Sequence, residues 1–501
     1  MIDISLDEFR ERASRGNLIP VTRTLLADSE TPLTVYRKMR GQGESFLFES
    51  VEGGENIGRY SFVGCNPRGL LKQNGSQVEY WVEGGVAREW TIGSGGIRDG
   101  LEALQEVLEG YQFVGGESSQ RFLGGAVGFL GYEFIHDVEP VVPRPPADDL
   151  GTPTMYFLLT DELLIFDRVS QTITIVVNAH IAEGQDLAAT YQRACDQVDS
   201  MAHRLGQSLA PLPTLVPKNV PDLKAESNMS RERFEENVGK AKDYILAGDI
   251  IQVVGSQRFS TETKASPLDV YRSVRFINPS PYMFLLELDG FSLVGASPEL
   301  HVRCDEQRVE IRPIAGTLPR GKNEKEDLAN EKQLLADPKE RAEHIMLVDL
   351  ARNDIGRVCE FGSVKVRDLM IIERYSHVMH IVSDVEGKLD QNFSPYDLMR
   401  ATFPAGTLSG APKVRAMQII AEMEQTARGP YGGCVGYFSY NGNLDCCITI
   451  RTALLKEGKA YFQAGGGWVH DSTKEGEYLE TINKSKAMLK ALSLAEALSK
   501  S

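Results

Sequence analysis

Short apolar runs separated by glycines, prolines and polar turns dominate the hydrophobic pattern in the first two fifths of the chain. The runs include SFLFESV from Ser45, RYSFVG from Arg59, MYFLLTDELLIFD from Met155 and TITIVVNA from Thr172. Apolar, β-branched and aromatic runs of about four to eight residues between turn signals are typical of strands. Helical spacing occurs near Leu101 and from Asp186 to Leu205.

A well-defined helix is predicted after residue 229. Ser230 is a suitable N-cap and Gly248 a suitable C-terminal stop. The apolar stripe between them consists of Phe234, Val238, Ala241 and Ile245. The following IIQVVGSQRF, from Ile250, is typical of a buried strand, and strands and helices alternate from there onward. These patterns predict an α+β fold with large antiparallel sheets.

A proline-rich stretch divides the chain. Residues 206–229 contain Pro211, Pro213, Pro217 and Pro221, which exclude a regular helix or a central strand. We therefore expect a linker between a β-rich N-terminal domain, residues 1–205, and a C-terminal domain, residues 230–501. A Gly-Gly-x-Val-Gly-aromatic pattern occurs once in each, at Gly124 and at Gly432. Such glycines let neighbouring strands approach closely, although a pattern this short also arises by chance.

Charge and composition narrow the class of protein. Of 501 residues, 42% are apolar and 25% are charged, and the formal net charge is -16. That charge opposes nonspecific nucleic-acid binding, and no apolar run is long enough to span a bilayer. The first residues lack a signal-peptide pattern and the seven cysteines contain no CxxC pair, so we expect a cytoplasmic protein with reduced thiols. An anionic ligand would need local positive groups or a metal ion.

Two predicted helices each carry acidic residues on one face. Asp337 followed by Pro338 begins the first, and a capping box of Ser472 and Glu475 begins the second. The faces consist of Glu340, Glu343 and His344 in the first helix and Glu477, Glu480 and Lys484 in the second. If the helices meet, their carboxylates suit Mg²⁺, which binds one or two carboxylates together with water or an anionic ligand. From spacing alone, two solvated helix faces are the more common outcome.

Three further features could bind an anion or act chemically. Gly465–Gly467 lie just before the second acidic helix, where backbone amides can bind an anion; a plain turn is an equal alternative. Arg451 is a charge within the strand-like CITIRTAL, and it needs either a ligand carboxylate or a buried acid as its partner. His380 follows an apolar-polar alternation, where a structural histidine is more common than a catalytic one. These residues alone indicate an enzyme with a divalent metal and a small carboxylate substrate.

Eight segments together resemble the chorismate-utilising enzymes, and within them the large subunits of anthranilate synthase. They are NPSPYMFLLEL from Asn278, GASPEL from Gly295, RPIAGTLPRG from Arg312, ERAEHIMLVDLARNDIGRV from Glu340, RYSHVMHIVSDVEG from Arg374, TFPAGTLSGAPKVRAM from Thr402, GPYGGCVGYFS from Gly429 and AGGGWVHDSTKEGEYLETINKSKAM from Ala464. The resemblance is nearly continuous from Ser230 to Leu489 and looser at FLFESVEGGENIGRYSFVG from Phe46. It implies antiparallel sheets that form a sandwich with peripheral helices, and a chorismate-binding catalytic domain in residues 230–501.

The resemblance also implies the roles of site residues. Glu343 and Glu480 would hold Mg²⁺, with Glu340 and Glu477 close by. Glu299 would be the general acid that protonates the departing ring hydroxyl, which requires a raised pKa. His380 and Thr407 match positions implicated in the later loss of pyruvate. The substrate pocket would be formed by Tyr431, Arg451, Gly465, Gly466, Gly467, Lys484, Gly316 and Thr317.

Two positions discriminate between relatives. Isochorismate and salicylate synthases carry a water-activating lysine where this chain has Gln252, and a glutamine is not a base at neutral pH. The closest 4-amino-4-deoxychorismate synthases carry a nucleophilic lysine in PIKGT, where this chain has Ala315. The implied reaction is addition of ammonia at ring carbon 2 with loss of the hydroxyl at carbon 4. Elimination of pyruvate then gives anthranilate.

Partners are implied as well. No Cys-His-Glu amidotransferase segment is recognisable, so ammonia would come from a separate glutamine amidotransferase subunit, component II, in a heteromer. L-Tryptophan would inhibit by binding between the two halves. The matching positions are Glu49, Ser50, Pro281, Tyr282, Met283, Val435, Gly436 and Tyr437. From sequence alone, however, core packing is the more common explanation for Pro281–Met283.

Three alternatives are open at the level of sequence. A close relative could stop at 2-amino-2-deoxyisochorismate or could form 4-amino-4-deoxychorismate. The acidic helices could instead hold a carboxylate-bridged di-iron centre, although such sites use Glu-x-x-His pairs. The chain could also be a non-catalytic protein with the same fold, although all the matched polar positions are present.

Overall fold

The structure, a computed structural model, describes residues 2–41, 43–50, 58–82, 84–93, 95–115, 120–213, 217, 219–375 and 378–499. The helices are α1 Leu6–Ala13, α2 Pro32–Met39, α3 Gly100–Glu109, α4 Ile135–Val138, α5 Leu187–Leu205, α6 Arg231–Ala247, α7 Pro267–Ile277, α8 Glu324–Ala336, α9 Pro338–Gly356, α10 Pro395–Thr402, α11 Lys413–Glu424 and α12 Lys474–Leu498, with 3₁₀ turns at Tyr132–Phe134 and Gly406–Leu408.

The strands are short, as the apolar runs predict. They are β1 Leu18–Leu26, β2 Ser45–Glu49, β3 Tyr60–Cys65, β4 Gly69–Asn74, β5 Gln77–Val82, β6 Gly85–Thr91, β7 Gly125–Leu130, β8 Met155–Thr160, β9 Glu162–Asp167, β10 Thr172–His180, β11 Glu226–Ser227, β12 Gln252–Glu262, β13 Tyr282–Leu288, β14 Phe291–Ser297, β15 Leu300–Asp305, β16 Arg308–Ile311, β17 Ile314–Pro319, β18 Lys365–Arg374, β19 Val378–Lys388, β20 Gly410–Ala411, β21 Cys434–Ser439, β22 Leu444–Ile448, β23 Thr452–Lys456 and β24 Lys459–Trp468.

Within the described residues, the strands form two 12-stranded sheets. The first has the order β1-β10-β9-β3-β2-β13-β14-β23-β24-β12-β11, with β20 on β12; the second has the order β17-β19-β16-β15-β22-β21-β7-β8-β4-β5-β6, with β18 on β19. Both sheets take strands from both sides of the proline-rich stretch, since β2 pairs with β13 and β7 pairs with β21. The division at residues 206–229 stays a prediction, and residues 214–216 and 218 of that stretch lie outside the described residues. Residues 51–57 and 376–377 of the matched segments do so too.

The two sheets pack face to face. The layer between them contains Phe46, Phe284 and Leu293 from the first sheet and Phe129, Tyr156 and Val435 from the second. Helices α5, α7 and α12 pack on the first sheet, and α9 and α10 pack on the second. The predicted α+β sandwich with peripheral helices is confirmed. No helix in the described part of the chain combines the length and the apolar character needed to cross a membrane.

Local signals explain where the acidic helices begin. Asp337 caps α9, and its Oδ1 accepts the amides of Lys339 at 2.9 Å and Glu340 at 3.3 Å. The predicted capping box of Ser472 and Glu475 is wrong. Thr473 caps α12 by accepting the amide of Gly476 at 3.2 Å, because the Ser472 hydroxyl already accepts the amide of Val469 at 3.0 Å.

The repeated glycine pattern has a structural basis. Strands β7 and β21 are neighbours in the second sheet, and Gly128 lies opposite Gly436. A Cβ on Gly128 would lie 1.9 Å from the carbonyl oxygen of Tyr156, and one on Gly436 would lie 2.1 Å from that of Asp445. Any side chain there would push adjacent backbones apart, so the two glycines set the close approach of β8, β7, β21 and β22.

We expect Gly128→Ala to lower the free energy of unfolding by about 1–3 kcal/mol, because the added methyl group overpacks the middle of a sheet. Thermal unfolding monitored by circular dichroism measures the effect. Gly85→Ala is the matched control, since a Cβ there meets nothing within 4 Å, and its change should stay within about 0.5 kcal/mol. If the two variants melt alike, the sheet does not depend on the close approach at Gly128.

Candidate active site

Carboxylates from two distant helices converge at the end of β24. A Cβ on Gly466 would lie 2.9 Å from Glu477 Oε2 and 3.3 Å from Glu480 Oε1, both on α12. A Cβ on the next residue, Gly467, would lie 3.3 Å from Glu343 Oε1 of α9. Adjacent strand residues direct their Cβ positions to opposite faces, and the two helices are linked by charge: Glu480 of α12 repels both Glu340 and Glu343 of α9. Of these carboxylates, Glu477 is buried, whereas the Glu480 side chain is 46% exposed.

Gly465–Gly467 lie in a different setting from the expected one. They belong to strand β24 and pair with Ser256, Gly255 and Val254 of β12. Helix α12 begins only at Lys474, so the amides of these glycines are not at its N-terminus. These glycines leave space beside β24 for neighbouring side chains, and they do not cap a helix.

The other residues of the predicted acidic site join the same place. Gln252 Nε2 donates to Glu343 Oε1 at 3.3 Å. Glu340 approaches Gly316, where a Cβ would lie 3.1 Å from Glu340 Oε2. Gly316 has a φ of 70°, and the pairing of β17 with β19 shifts register there. This bulge requires glycine and brings β17 toward α9.

The negative charge of the carboxylates is only partly offset by neighbouring cations. Burial, as the largest cause, raises the pKa of Glu340, Glu343 and Glu477. Mutual repulsion adds to this: Glu343 acts on Glu340, and Glu480 acts on Glu477. Glu477 Oε2 is buried and has no hydrogen-bond partner among the residues described. Neighbouring acids with too few cations beside them favour either protonation or a bound cation.

Two lysines border the acidic group. Lys484 Nζ lies 2.7 Å from Glu480 Oε1 and donates to the carbonyl oxygen of Gly465 at 2.9 Å. The positive charge of Lys339, which the sequence did not single out, lowers the pKa of Glu343 and Glu477. Both are outnumbered by the four carboxylates. In the described part of the chain, no three His, Cys, Asp or Glu side chains form a ready-made metal cage.

Glu299 lies between β14 and β15 and is buried. Burial raises its pKa to about 7. The Thr407 hydroxyl donates to Glu299 Oε1 at 2.7 Å and holds the pKa below what burial alone would give. Arg451 and Lys484 also lower this pKa. A carboxyl that titrates near neutrality can donate a proton at physiological pH.

Arg451 is a charge without a fixed partner. Within the described residues, its guanidinium makes no hydrogen bond or ion pair, and burial lowers its pKa, with Glu299 opposing that effect. Its backbone has a φ of 50°, a conformation that non-glycine residues adopt rarely and mostly at special sites. A buried guanidinium of this kind needs an anion.

His380 and Thr317 form the wall beside Gly316. His380 Nδ1 lies 3.0 Å from the carbonyl oxygen of Gly316 and 2.9 Å from Thr317 Oγ1. Since a carbonyl only accepts, Nδ1 carries the hydrogen and Nε2 keeps its lone pair. Burial lowers the pKa of His380 to about 4, so the imidazole is neutral at pH 7.

Tyr431 faces Gly465, since a Cβ there would lie 2.9 Å from the Tyr431 hydroxyl oxygen. Burial raises the pKa of Tyr431, which keeps the phenol protonated. Beneath the ring lies Arg428, which is fully buried and bonded to Glu424 at 2.7 Å. Sequence reasoning missed this pair, because Glu424 ends α11 and Arg428 lies beyond the helix, where no local spacing rule predicts the contact.

A separate cavity of about 220 Å³ lies between the sheets. Its lining includes all eight residues of the predicted regulatory site: Glu49, Ser50, Pro281, Tyr282, Met283, Val435, Gly436 and Tyr437. Glu49 Oε1 and Ser50 Oγ are buried there without hydrogen-bond partners in the part of the chain described. Arg275 Nε lies 3.3 Å from the other carboxylate oxygen of Glu49. Pro281–Met283 therefore line a cavity and do not merely fill a core.

Comparisons with known proteins agree with this geometry. The sequence profile of the family described as chorismate binding enzyme matches residues 43–490. Anthranilate synthase component 1 of Acetivibrio thermocellus is 46% identical, over 97% of this chain and 98% of that protein. The Aquifex aeolicus protein of the same name is 46% identical over 99% of each chain. The crystal structure of anthranilate synthase component I from Streptococcus pneumoniae TIGR4 matches with a TM-score of 0.74 at 36% identity, over 93% of this chain and 99% of that one.

We expect Thr407→Val to raise the pKa of Glu299 above 7, because the hydroxyl stabilises the ionised carboxylate. Protein labelled with ¹³C at glutamate Cδ allows the titration to be followed by NMR, with Glu299→Gln assigning the resonance. Thr449→Val is the control: it removes a buried threonine hydroxyl that has no hydrogen-bond partner among the described residues. An unchanged Glu299 titration in Thr407→Val would contradict the proposed hydrogen bond.

Proposed function

The chain belongs to the family of chorismate binding enzymes, and on that premise we propose that it converts chorismate and ammonia to anthranilate and pyruvate. The observation that carries the proposal is the repulsion between Glu480 of α12 and Glu343 of α9, together with the charges of Arg451 and Lys484, which both act on Glu299. Chorismate is a dicarboxylate with a hydroxyl leaving group. Such a substrate needs cationic groups for its carboxylates and an acid for its hydroxyl, and the site offers both.

The donor set fits Mg²⁺. This ion prefers oxygen ligands and completes its coordination with water and substrate, and the orphaned Glu477 oxygen is evidence that the acidic group lacks a cation. Glu343 and Glu480 would hold the ion, with Glu340 and Glu477 beside them. When bound, it supplies positive charge to a substrate carboxylate. Arg451, Tyr431, Lys484 and the amides of Gly465–Gly467 would bind the carboxylates, and Gly316 and Thr317 would line the pocket.

Glu299 would act as the general acid. Its protonated form donates to the hydroxyl on ring carbon 4 as the bond from carbon to oxygen breaks, and ammonia adds at carbon 2. Gln252 is not a base and Ala315 is not a nucleophile, which supports ammonia rather than an activated water or an enzyme lysine. The neutral His380 has the lone pair of Nε2 available to accept the proton from carbon 2 while the enolpyruvyl group leaves, a step in which Thr407 would also take part.

Partners follow from the same proposal. Ammonia would be supplied by a glutamine amidotransferase subunit, component II, so the working enzyme would be a heteromer in the cytoplasm. The cavity between the sheets would bind L-tryptophan, the end product of the biosynthetic pathway that begins with anthranilate. Its ammonium group suits the free oxygen of Glu49, and its indole suits the aromatic lining of Phe48, Phe62 and Tyr437.

Purified protein with chorismate, Mg²⁺ and ammonium should release anthranilate, which is fluorescent, and one pyruvate for each anthranilate. Chelation of the metal should stop the reaction. Production of 2-amino-2-deoxyisochorismate without pyruvate, or of 4-amino-4-deoxychorismate, would identify a different activity of the same family. Isochorismate as the product would contradict the choice of ammonia as nucleophile.

We expect Glu480→Gln to lower kcat/KM by at least about a hundredfold, since it removes a carboxylate from the metal site. The matched control is Glu475→Gln on the same helix, where the side chain is exposed and pairs at the surface with Arg231 at 3.2 Å. The control should keep nearly full activity. A Glu480→Gln enzyme with normal turnover and normal Mg²⁺ dependence would refute the metal assignment.

We expect Glu49→Gln to raise the tryptophan concentration for half-inhibition by about ten- to a hundredfold, because a charged hydrogen bond contributes about 1.5–3 kcal/mol. Anthranilate fluorescence at increasing tryptophan measures the effect, with the variant's own rate in the absence of tryptophan as the reference. Inhibition as strong as in the unmodified protein would place the regulatory ligand elsewhere.

A further inference from the structure

A buried lysine lies behind the proposed active site. Lys413 is the first residue of α11, and its ammonium makes three contacts: with Asp354 Oδ2 at 2.6 Å, the carbonyl oxygen of Pro404 at 2.8 Å and that of Thr402 at 3.2 Å. An ammonium has three donors, so all are used. The Lys413 side chain is 11% exposed and that of Asp354 is 7% exposed.

The three acceptors belong to three different elements. Asp354 is on α9, the helix of Glu340 and Glu343; Thr402 ends α10; and Pro404 begins the segment Pro404–Ser409 that carries Thr407. The far end of that segment is fixed to the first sheet, where the carbonyl oxygen of Ser409 accepts the amide of Val254 at 2.9 Å. Lys413 therefore attaches the near end of the segment, at Pro404, to α9 through Asp354.

The segment Pro404–Ser409 contains one residue that contacts the proposed general acid. Thr407 donates to Glu299 at 2.7 Å, and a hydrogen bond of that length depends on where the segment lies relative to β14 and β15. Leu408 is held in addition, because its carbonyl oxygen accepts from Arg428 at 2.8 Å. A buried salt bridge can often be replaced by apolar side chains at little cost in stability. The three hydrogen bonds of the Lys413 ammonium do more than fill space, because they fix Asp354, Thr402 and Pro404 relative to one another.

We propose that Lys413 is a positioning residue for the general acid: by joining Asp354, Thr402 and Pro404 it sets the place of Thr407, and so the hydrogen bond that Thr407 gives to Glu299. The inference rests on the proposed role of Glu299. The charged groups that face Lys413 are Asp354, Arg357 and Glu139, and those that face Glu299 are Arg451 and Lys484.

The first test measures Glu299 directly and needs no turnover. In ¹³C-labelled protein, Lys413→Met should raise the pKa of Glu299 in the same direction as Thr407→Val and by at least about half as much. The double variant should show no more than the Thr407→Val shift, since two residues that act through one contact are not additive. Lys413→Met that leaves the Glu299 titration unchanged would overturn the proposal.

A matched control separates positioning from loss of stability. Lys38→Met removes another buried lysine, whose side chain is 10% exposed and which bonds Glu30 and the carbonyl oxygen of Leu205 at 2.6 Å. It should lower the melting temperature and leave the pKa of Glu299 unchanged. If Lys38→Met moves that pKa as much as Lys413→Met does, the effect is general destabilisation and the proposal fails.

A second variant covers the case in which Lys413→Met does not fold. Asp354→Asn keeps an acceptor oxygen and removes its charge, so it should raise the pKa of Glu299 by a smaller amount in the same direction. No shift would count against the proposal.

Kinetics then separate this inference from the proposed function. If Glu299 is the acid, Lys413→Met should reduce kcat about tenfold with less change in the KM for chorismate, and the fall in rate at high pH should move upward with the pKa of Glu299. A shifted pKa with unchanged kcat would confirm the positioning by Lys413 and reject Glu299 as the acid.

Discussion

Glutamate carboxyls from α9 and α12 lie near enough to repel one another, and the proposed site depends on that proximity of like charge. Gly466 and Gly467 have no side chains, so α9 and α12 can both reach the strand. Negative charge concentrated on partly buried carboxyls is costly, and a divalent cation with an anionic ligand would neutralise it. The lysines at the edge, Lys339 and Lys484, reduce the repulsion without cancelling it.

The same low-dielectric surroundings affect the other groups differently. For Glu299, burial outweighs the neighbours that stabilise its charge, so its pKa is raised to about 7. His380 becomes a neutral imidazole for the same reason. Arg451 retains its charge without a fixed anion. Burial thus acts on a carboxyl, an imidazole and a guanidinium, and the proposed function assigns them the roles of acid, proton acceptor and binding cation.

Local features of the fold could be predicted from sequence, and long-range contacts could not. The cap at Asp337, the helix from Ser230 to Gly248 and the antiparallel strands follow from patterns within a few residues. Gly465–Gly467 were harder to place, because glycines serve strands and turns alike and only the pairing with β12 decides. The partnership of Lys413 with Asp354 joins residues 59 positions apart, and no local pattern marks it. The site residues were found through resemblance, since spacing alone favoured solvated helix faces.

The interleaving of the sheets has a consequence for how the chain could be divided. A cut within residues 206–229 would place β7 and β21 on separate pieces, and likewise β2 and β13. Each piece would then expose open edges in the middle of both sheets, and the two would have to associate to regain either one. Because neither piece could complete a sheet alone, the two pieces could serve as the halves of a split-protein reporter.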